Sequence, residues 1–177
     1  MAANGSRRRW TGVAAVLAGV VAVSAAVPAV AAAGAAGKVT GLNPRSEALI
    51  KKAARASPTV AALLHALEST DVAVLVEATF MATRLARGGD IRIATATAVR
   101  RYLVVRLDVT RPPEQQIEYL GHELQHALEV AGASDVRDEA SLARLMERIG
   151  WKSGPGAFET AAAVRVSAEV RRDLARR

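Results

Sequence analysis

From Trp10 to Ala33 the chain carries no charged side chain, and this run follows directly on Arg7-Arg8-Arg9. It closes on small residues, Ala29-Val30-Ala31 and Ala31-Ala32-Ala33, just after Pro28. A basic start, an apolar stretch and an Ala-x-Ala end are the parts of a secretory signal peptide. Pro28 would stop an apolar helix there and present extended chain to a peptidase. The alternative is an uncleaved membrane anchor, for which the stretch is long enough. Its alanine and glycine content and its small-residue end favour cleavage over anchoring. Ser6-Arg7-Arg8-Arg9-Trp10 also has the look of a twin-arginine export signal. The expected division is therefore 1–33 as signal peptide, 34–42 as linker and 43–177 as the domain that must fold. The mature chain is expected to begin near Ala32, with Gly34 as the latest start, in a periplasmic or extracellular location.

Removing that segment changes what composition means. Only Trp151, Tyr102, Tyr119, Phe80 and Phe158 remain as aromatics, so the core must come from Leu, Val, Ile and Ala. That favours helices packed closely on a small sheet. There is no cysteine, which excludes disulfides and Cys-ligated metal. Losing Arg7, Arg8 and Arg9 lowers the formal charge from +7 to +4. Arg171, Arg172, Arg176 and Arg177 suit the C-terminal end of a solvated helix. No basic stripe is interleaved with aromatics, so no nucleic-acid partner is expected, and a membrane contact only through an uncleaved N-terminal segment.

Asn43-Pro44 and Ser57-Pro58 each place a capping residue before a proline at the first helical position. They predict helices to about Ala56 and Ser69. Val72 to Val76 reads either as a short buried strand or as the start of a helix. After the Gly88-Gly89-Asp90 turn, alternation predicts strands over roughly 90–96 and 100–108, as a hairpin with one wetter face. Val99, Arg101, Leu103, Val105 and Leu107 then face one way, and Arg100, Tyr102, Val104, Arg106 and Asp108 the other. Three helices are then expected: Thr110–Pro113 to Ala131, Ser134 or Asp135 to Ile149, and about Ala157 to Leu174, the last two joined by a loop from Trp151 to Gly156. The fold class is α+β, mainly helical, with a small sheet or hairpin before the helix that carries His122.

That helix holds Gly121-His122-Glu123-Leu124-Gln125-His126-Ala127-Leu128-Glu129. Residues four apart share a helix face, so His122 and His126 can hold one cation between their imidazoles. Glu123 points aside, where it can take a proton from water without occupying the metal. On the helical wheel, Ile117, Leu120, Leu124, Ala127, Leu128 and Ala131 gather on one face, and Gly121 lies on that side. His122 and His126 fall opposite, with Tyr119 and Glu129 nearby. His65, in Leu-Leu-His-Ala-Leu, has no such company and reads as a packed or half-exposed helix residue.

His122-Glu123-x-x-His126 resembles the motif of the zincin metallopeptidases, and a looser resemblance runs from about Ile91 to the last helix. The resemblance implies one Zn2+ held by His122 and His126, Glu123 as general base, and the 100–108 strand as the edge along which a peptide substrate lies. The metzincin branch continues with Gly and His where this chain has Glu129 and Gly132, so the gluzincin branch is the nearer likeness. There a glutamate from a later helix is the third ligand. Glu159-Thr160-Ala161-Ala162-Ala163 is similar to that glutamate with its small neighbours, although the aspartate that often follows is missing. Glu139 is the alternative third ligand, and Glu129 either orients a histidine or faces water. Tyr119, Tyr102 or an arginine near the hairpin would stabilise an oxyanion. The function implied is an exported zinc-dependent hydrolase, foremost a metallopeptidase acting on a peptide or protein substrate. The alternative is a non-catalytic secreted domain that binds metal or a partner on the same helix face. Oligomeric state is left open.

Overall fold

The computed structural model describes residues 38–81, 88–154 and 157–177. The signal segment, most of the linker and Pro155-Gly156 lie outside them.

Both proline-led helices form where their caps stand. Helix α1 spans Pro44–Ala56: the Asn43 side chain accepts the Ser46 N–H at 2.9 Å, and the Ser46 hydroxyl accepts the Asn43 N–H at 3.1 Å. Helix α2 spans Pro58–Glu68 behind Ser57, whose hydroxyl accepts from Val60 N–H at 3.2 Å and donates to Asp173 at 2.6 Å.

The sheet has four strands: β1 (Val39–Gly41), β2 (Val72–Thr79), β3 (Gly89–Ala96) and β4 (Arg101–Asp108). Their spatial order is β1-β2-β4-β3, with β1, β2 and β4 parallel and β3 antiparallel at the edge. The ambiguous run from Val72 is thus a strand, eight residues long. The predicted hairpin is present, but β4 is not an edge. Eight parallel register pairs, Val72↔Arg101 to Thr79↔Asp108, fill its second side. The expected substrate edge at 100–108 is therefore corrected: on this side of the sheet the edge strand is β3.

Helix α3 (Pro113–Ala131) lies on one face of the sheet, against β2, β3 and β4. Val72, Val74, Val76, Leu103, Val105 and Leu107 meet Ile117, Leu120 and Leu124 there, all fully buried. Each such side chain contributes about 1.5–3 kcal/mol on leaving water. Helices α1 and α2 also pack on α3, as does α5 (Ala161–Ala175). A Cβ on Gly121 would sit 2.9 Å from Val170, so this glycine lets α3 and α5 approach closely.

Arg101 keeps its predicted place in the apolar line and is still only 1 % exposed. Its guanidinium donates to both Asp71 carboxylate oxygens at 2.8 and 2.6 Å. It also donates to the carbonyls of Val130, Ala131 and Ala133 at 2.7, 3.2 and 2.6 Å. Val130 and Ala131 are in the last turn of α3, where no further helical turn follows, and Ala133 is in the turn just after it. One side chain thereby fastens that helix end to the start of β4.

Two expected boundaries move. Helix α4 spans Glu139–Ile149, not from Ser134 or Asp135, because Asp138 caps it by accepting from Ser141 N–H at 2.7 Å. Helix α5 starts at Ala161, not Ala157. The residues before it form β6 (Ala157–Glu159), paired antiparallel with β5 (Trp151–Gly154), and Thr160 accepts from Ala163 N–H at 3.1 Å as the cap. Among the described residues no helix is long and apolar enough to cross a membrane.

Candidate functional site

Helix α3 runs under the β3 edge, and α4, β6 and α5 close around its other side. Between them lies a cleft of about 1110 Å³ whose lining includes His122, Glu123, His126 and Glu159. The spacing of four residues brings the imidazoles together, Nε2 to Nε2 at 3.1 Å, with rings nearly perpendicular at 80°. Glu159 reaches the same point from the end of β6, its Oε2 3.5 Å from His122 Nε2.

Each histidine has a second partner that turns Nε2 toward the cleft. His126 donates through Nδ1 to Glu129 at 2.7 Å, and Glu129 accepts from the Thr160 hydroxyl at 2.6 Å. His122 Nδ1 lies 3.0 Å from Ser167 Oγ in a hydrogen bond. A carboxylate or hydroxyl behind a histidine in this way fixes ring orientation and tautomer, as it does behind metal-bound imidazoles.

Among the described residues no three His, Cys, Asp or Glu side chains are already closed around one cation position. Two of the three donor separations are nonetheless near those at a small tetrahedral ion. Two nitrogen or oxygen ligands of zinc stand about 3.3 Å apart, against 3.1 Å between the two Nε2 atoms and 3.5 Å from His122 Nε2 to Glu159 Oε2. Nitrogen and carboxylate donors without sulfur suit zinc as well. The residues present fit the ion.

Electrostatics separate the four groups. Burial pushes Glu123 up from the usual 4.5 to about 7, and the like charges of Asp90 and Glu159 add to this against the opposing pull of His126. Burial, then the neighbouring His126, lower His122 to about 4. Burial also works against charge on His126, but its bond to Glu129 and the carboxylates of Glu123, Glu129 and Glu159 outweigh that and raise it. Glu129 is held below its ordinary value, since its bonds from His126 and Thr160 overcome the cost of burial.

Glu123 is 5 % exposed, and no hydrogen bond among the described residues reaches its carboxyl. It lies beneath the first residue of β3, where a Cβ on Gly89 would come within 2.9 Å of Glu123 Oε1. So Glu123 faces the strand edge while His122 and His126 face Glu159, which is the division of directions read from the helix.

The remaining expected residues sort clearly. Glu139 lines the cleft but spends one oxygen on the Ile93 N–H, at 2.8 Å. Glu129 orients His126. Tyr119 lines the cleft and Tyr102 does not, while Arg106 and Arg171, which also line it, are tied to Asp90 and Glu118. His65 is exposed on α2 beside Glu68 and does not line the cleft. The sequence reading missed Ser167 and Thr160. Nothing in their neighbourhood marks them, since each is one small hydroxyl residue in or before a helix.

The hairpin that delivers Glu159 depends on Gly150. A Cβ there would fall 2.0 Å from the Glu159 carbonyl oxygen, a backbone atom that cannot swing aside. Gly150→Ala is expected to cost about 1–3 kcal/mol by overpacking and to weaken metal binding by displacing Glu159. Thermal melts with and without zinc check this. An alanine variant with unchanged melting temperature and zinc affinity would contradict it.

No protein-family model matches the chain, and no match was found among curated proteins or solved structures.

Proposed function

We propose that this chain is an exported zinc-dependent hydrolase with a zincin-like domain, foremost a metallopeptidase, in which His122, His126 and Glu159 hold the ion and Glu123 is the general base. The observation that carries the reading is the joint one: two imidazoles, and a carboxylate 3.5 Å from one of them, beside a buried carboxyl with no hydrogen bond among the described residues, under the β3 edge. Zinc at such a site supplies Lewis acidity and lowers the pKa of water toward neutrality. Glu123 takes one proton from the attacking water at its carboxylate and gives it to the departing amine nitrogen as the C–N bond breaks. In the metal-free site burial raises the proton affinity of this carboxyl, which is the direction a general base needs. Tyr119, whose side chain lines the cleft, is the hydroxyl we assign to the carbonyl oxygen. The β3 edge aligns the peptide, and the Glu129–Thr160 and Ser167 contacts hold the two rings.

Elemental analysis of purified protein tests the reading. About one equivalent of zinc is expected, lost in His122→Ala and in His126→Ala. Glu159→Ala should weaken binding more than Glu139→Ala, since Glu139 is engaged with β3. Equal zinc in the wild type and both histidine variants would refute the assignment, and the reverse glutamate order would move the third ligand to Glu139.

A further inference from the structure

The Ile93 N–H that bonds to Glu139 points away from β4, out of the sheet. Successive residues of an antiparallel strand face alternately toward and away from the partner. Gly88, which accepts from Asp108 N–H at 2.9 Å, faces inward, in phase with this. Gly89, Ile91 and Ile93 therefore turn their backbone groups outward, into the cleft wall opposite Leu142, Ala143 and Met146 of α4. An extended peptide laid there adds a strand to the sheet.

Such a strand cannot continue past Ile91. Glu139 Oε1 already occupies the position from which a peptide carbonyl would accept the Ile93 N–H. Just beyond, the β3–β4 register shifts between Ile93 and Thr95, bending the edge out of line. The groove thus has a closed end, and what stands at it is a carboxylate with which no cation among the described residues pairs. A carboxylate there repels the C-terminal end of a peptide and attracts its ammonium end. That choice also fixes direction. With its amino end at Ile93, the peptide runs antiparallel to β3 and passes Gly89, beside Glu123, a few residues later.

We propose that Glu139 is the receptor for the free α-ammonium group of a peptide bound along β3, so that the cleft trims peptides from their amino end. The trimming rests on the hydrolase reading; the binding does not. The paired stretch from Ile91 to Gly89 is short, and the bond cut lies within roughly three residues of the amino terminus. Glu139 is a specificity-determining residue in this proposal, and it leaves the metal to Glu159.

The test uses the mature chain, with and without zinc, and a C-terminally fluorescein-labelled hexapeptide of leucine, phenylalanine and alanine beside its N-acetylated twin. Fluorescence polarisation is expected to show the free-amine peptide bound about tenfold more tightly or better. Glu139→Gln keeps an oxygen for the Ile93 N–H, so its melting temperature should stay unchanged while the two peptides become equal at the weaker affinity. Equal affinities in the wild type, no binding of either peptide, or a difference that survives in Glu139→Gln overturns the proposal. So does restoration of tight binding by a lysine at the second position of the acetylated peptide, which would assign the carboxylate to a side-chain ammonium. Amine-dependent binding of a peptide that is never cut would leave the proposal standing and end the hydrolase reading, whereas mass spectrometry showing cuts near the free amino end supports both.

Discussion

Glu123→Gln is expected to retain zinc while peptide hydrolysis falls about a hundredfold or more, the usual cost of losing a general base. Glutamine has nearly the same volume and can still hydrogen-bond a water, but it cannot take its proton. The site favours a clean result. The carboxyl meets no hydrogen-bond partner among the described residues, so its replacement breaks no such contact, and the amide removes a carboxyl whose ionisation burial already opposes. Stability should hold or rise slightly. Zinc content and hydrolytic rate measured on the same two preparations separate the cases. Full zinc with full rate would remove Glu123 from catalysis. Full zinc with no hydrolysis even in the wild type would leave a metal-binding domain.

The largest expected effect on stability lies elsewhere, at Arg101. Arg101→Leu should destabilise the protein by about 3–5 kcal/mol, as breaking one half of a buried charge network does. Most of that loss is assigned to the charge-assisted bonds on the carbonyls of Val130 and Ala133, which then keep the N–H groups of Ala133 and Val136, and on the carbonyl of Val136. Asp71 is 39 % exposed, so water takes over much of its share. Arg101→Lys should fall between, since an ammonium cannot reach the carboxylate and the helix end together. Urea unfolding measures the difference, and a loss below about 1 kcal/mol would show that the helix end does not need this anchor. The pH dependence has a definite sign. The bond from Arg101 holds Asp71 below its ordinary 3.8, against the smaller opposing effect of burial. This contribution is present above the ordinary value and is lost as pH falls through the lowered one. The gap between wild type and variant should therefore narrow in acid.

What could be read from the sequence follows the range of the interaction that decides it. Asn43-Pro44 and Ser57-Pro58 settle α1 and α2 within a few residues of themselves, and both helices start as expected. Alternation marks β3 and β4, and spacing of four pairs His122 with His126. Glu159 could be picked out by its small-residue neighbours, but not the strand it sits on: β5 and β6 are four and three residues long and carry no alternating apolar pattern. The identity of the edge was hidden for a different reason. Whether β4 has a second neighbour depends on β2, some thirty residues away, and parallel pairing leaves no local signature. Alternation put Arg101 on the face of Leu103, Val105 and Leu107, but its burial was not read from that. Nor were its partners visible, since Asp71 and the end of α3 come from two other parts of the chain. Asp138 shows how small the margin is. A cap three or four residues downstream of those expected, with Ser141 to answer it, shortens α4 and sets Glu139 at its first turn, facing Ile93.

Helix α3 has almost no idle surface. Its apolar stripe is spent on the sheet, Gly121 on α5, Glu123 on the space under β3, the two histidines on the cleft, Glu129 on Thr160 and its final carbonyls on Arg101. In evolutionary terms such a segment drifts as a block. Neutral change is confined to the exposed first turn at Glu114 and Gln115 and to a few half-covered positions, and most other substitutions need an answering change in another element. The five-residue motif is only the legible part of a packed unit that also includes Ser167, Thr160, Gly150 and Arg101. Descendants of this chain that kept the motif while losing those four would keep its spelling without its site.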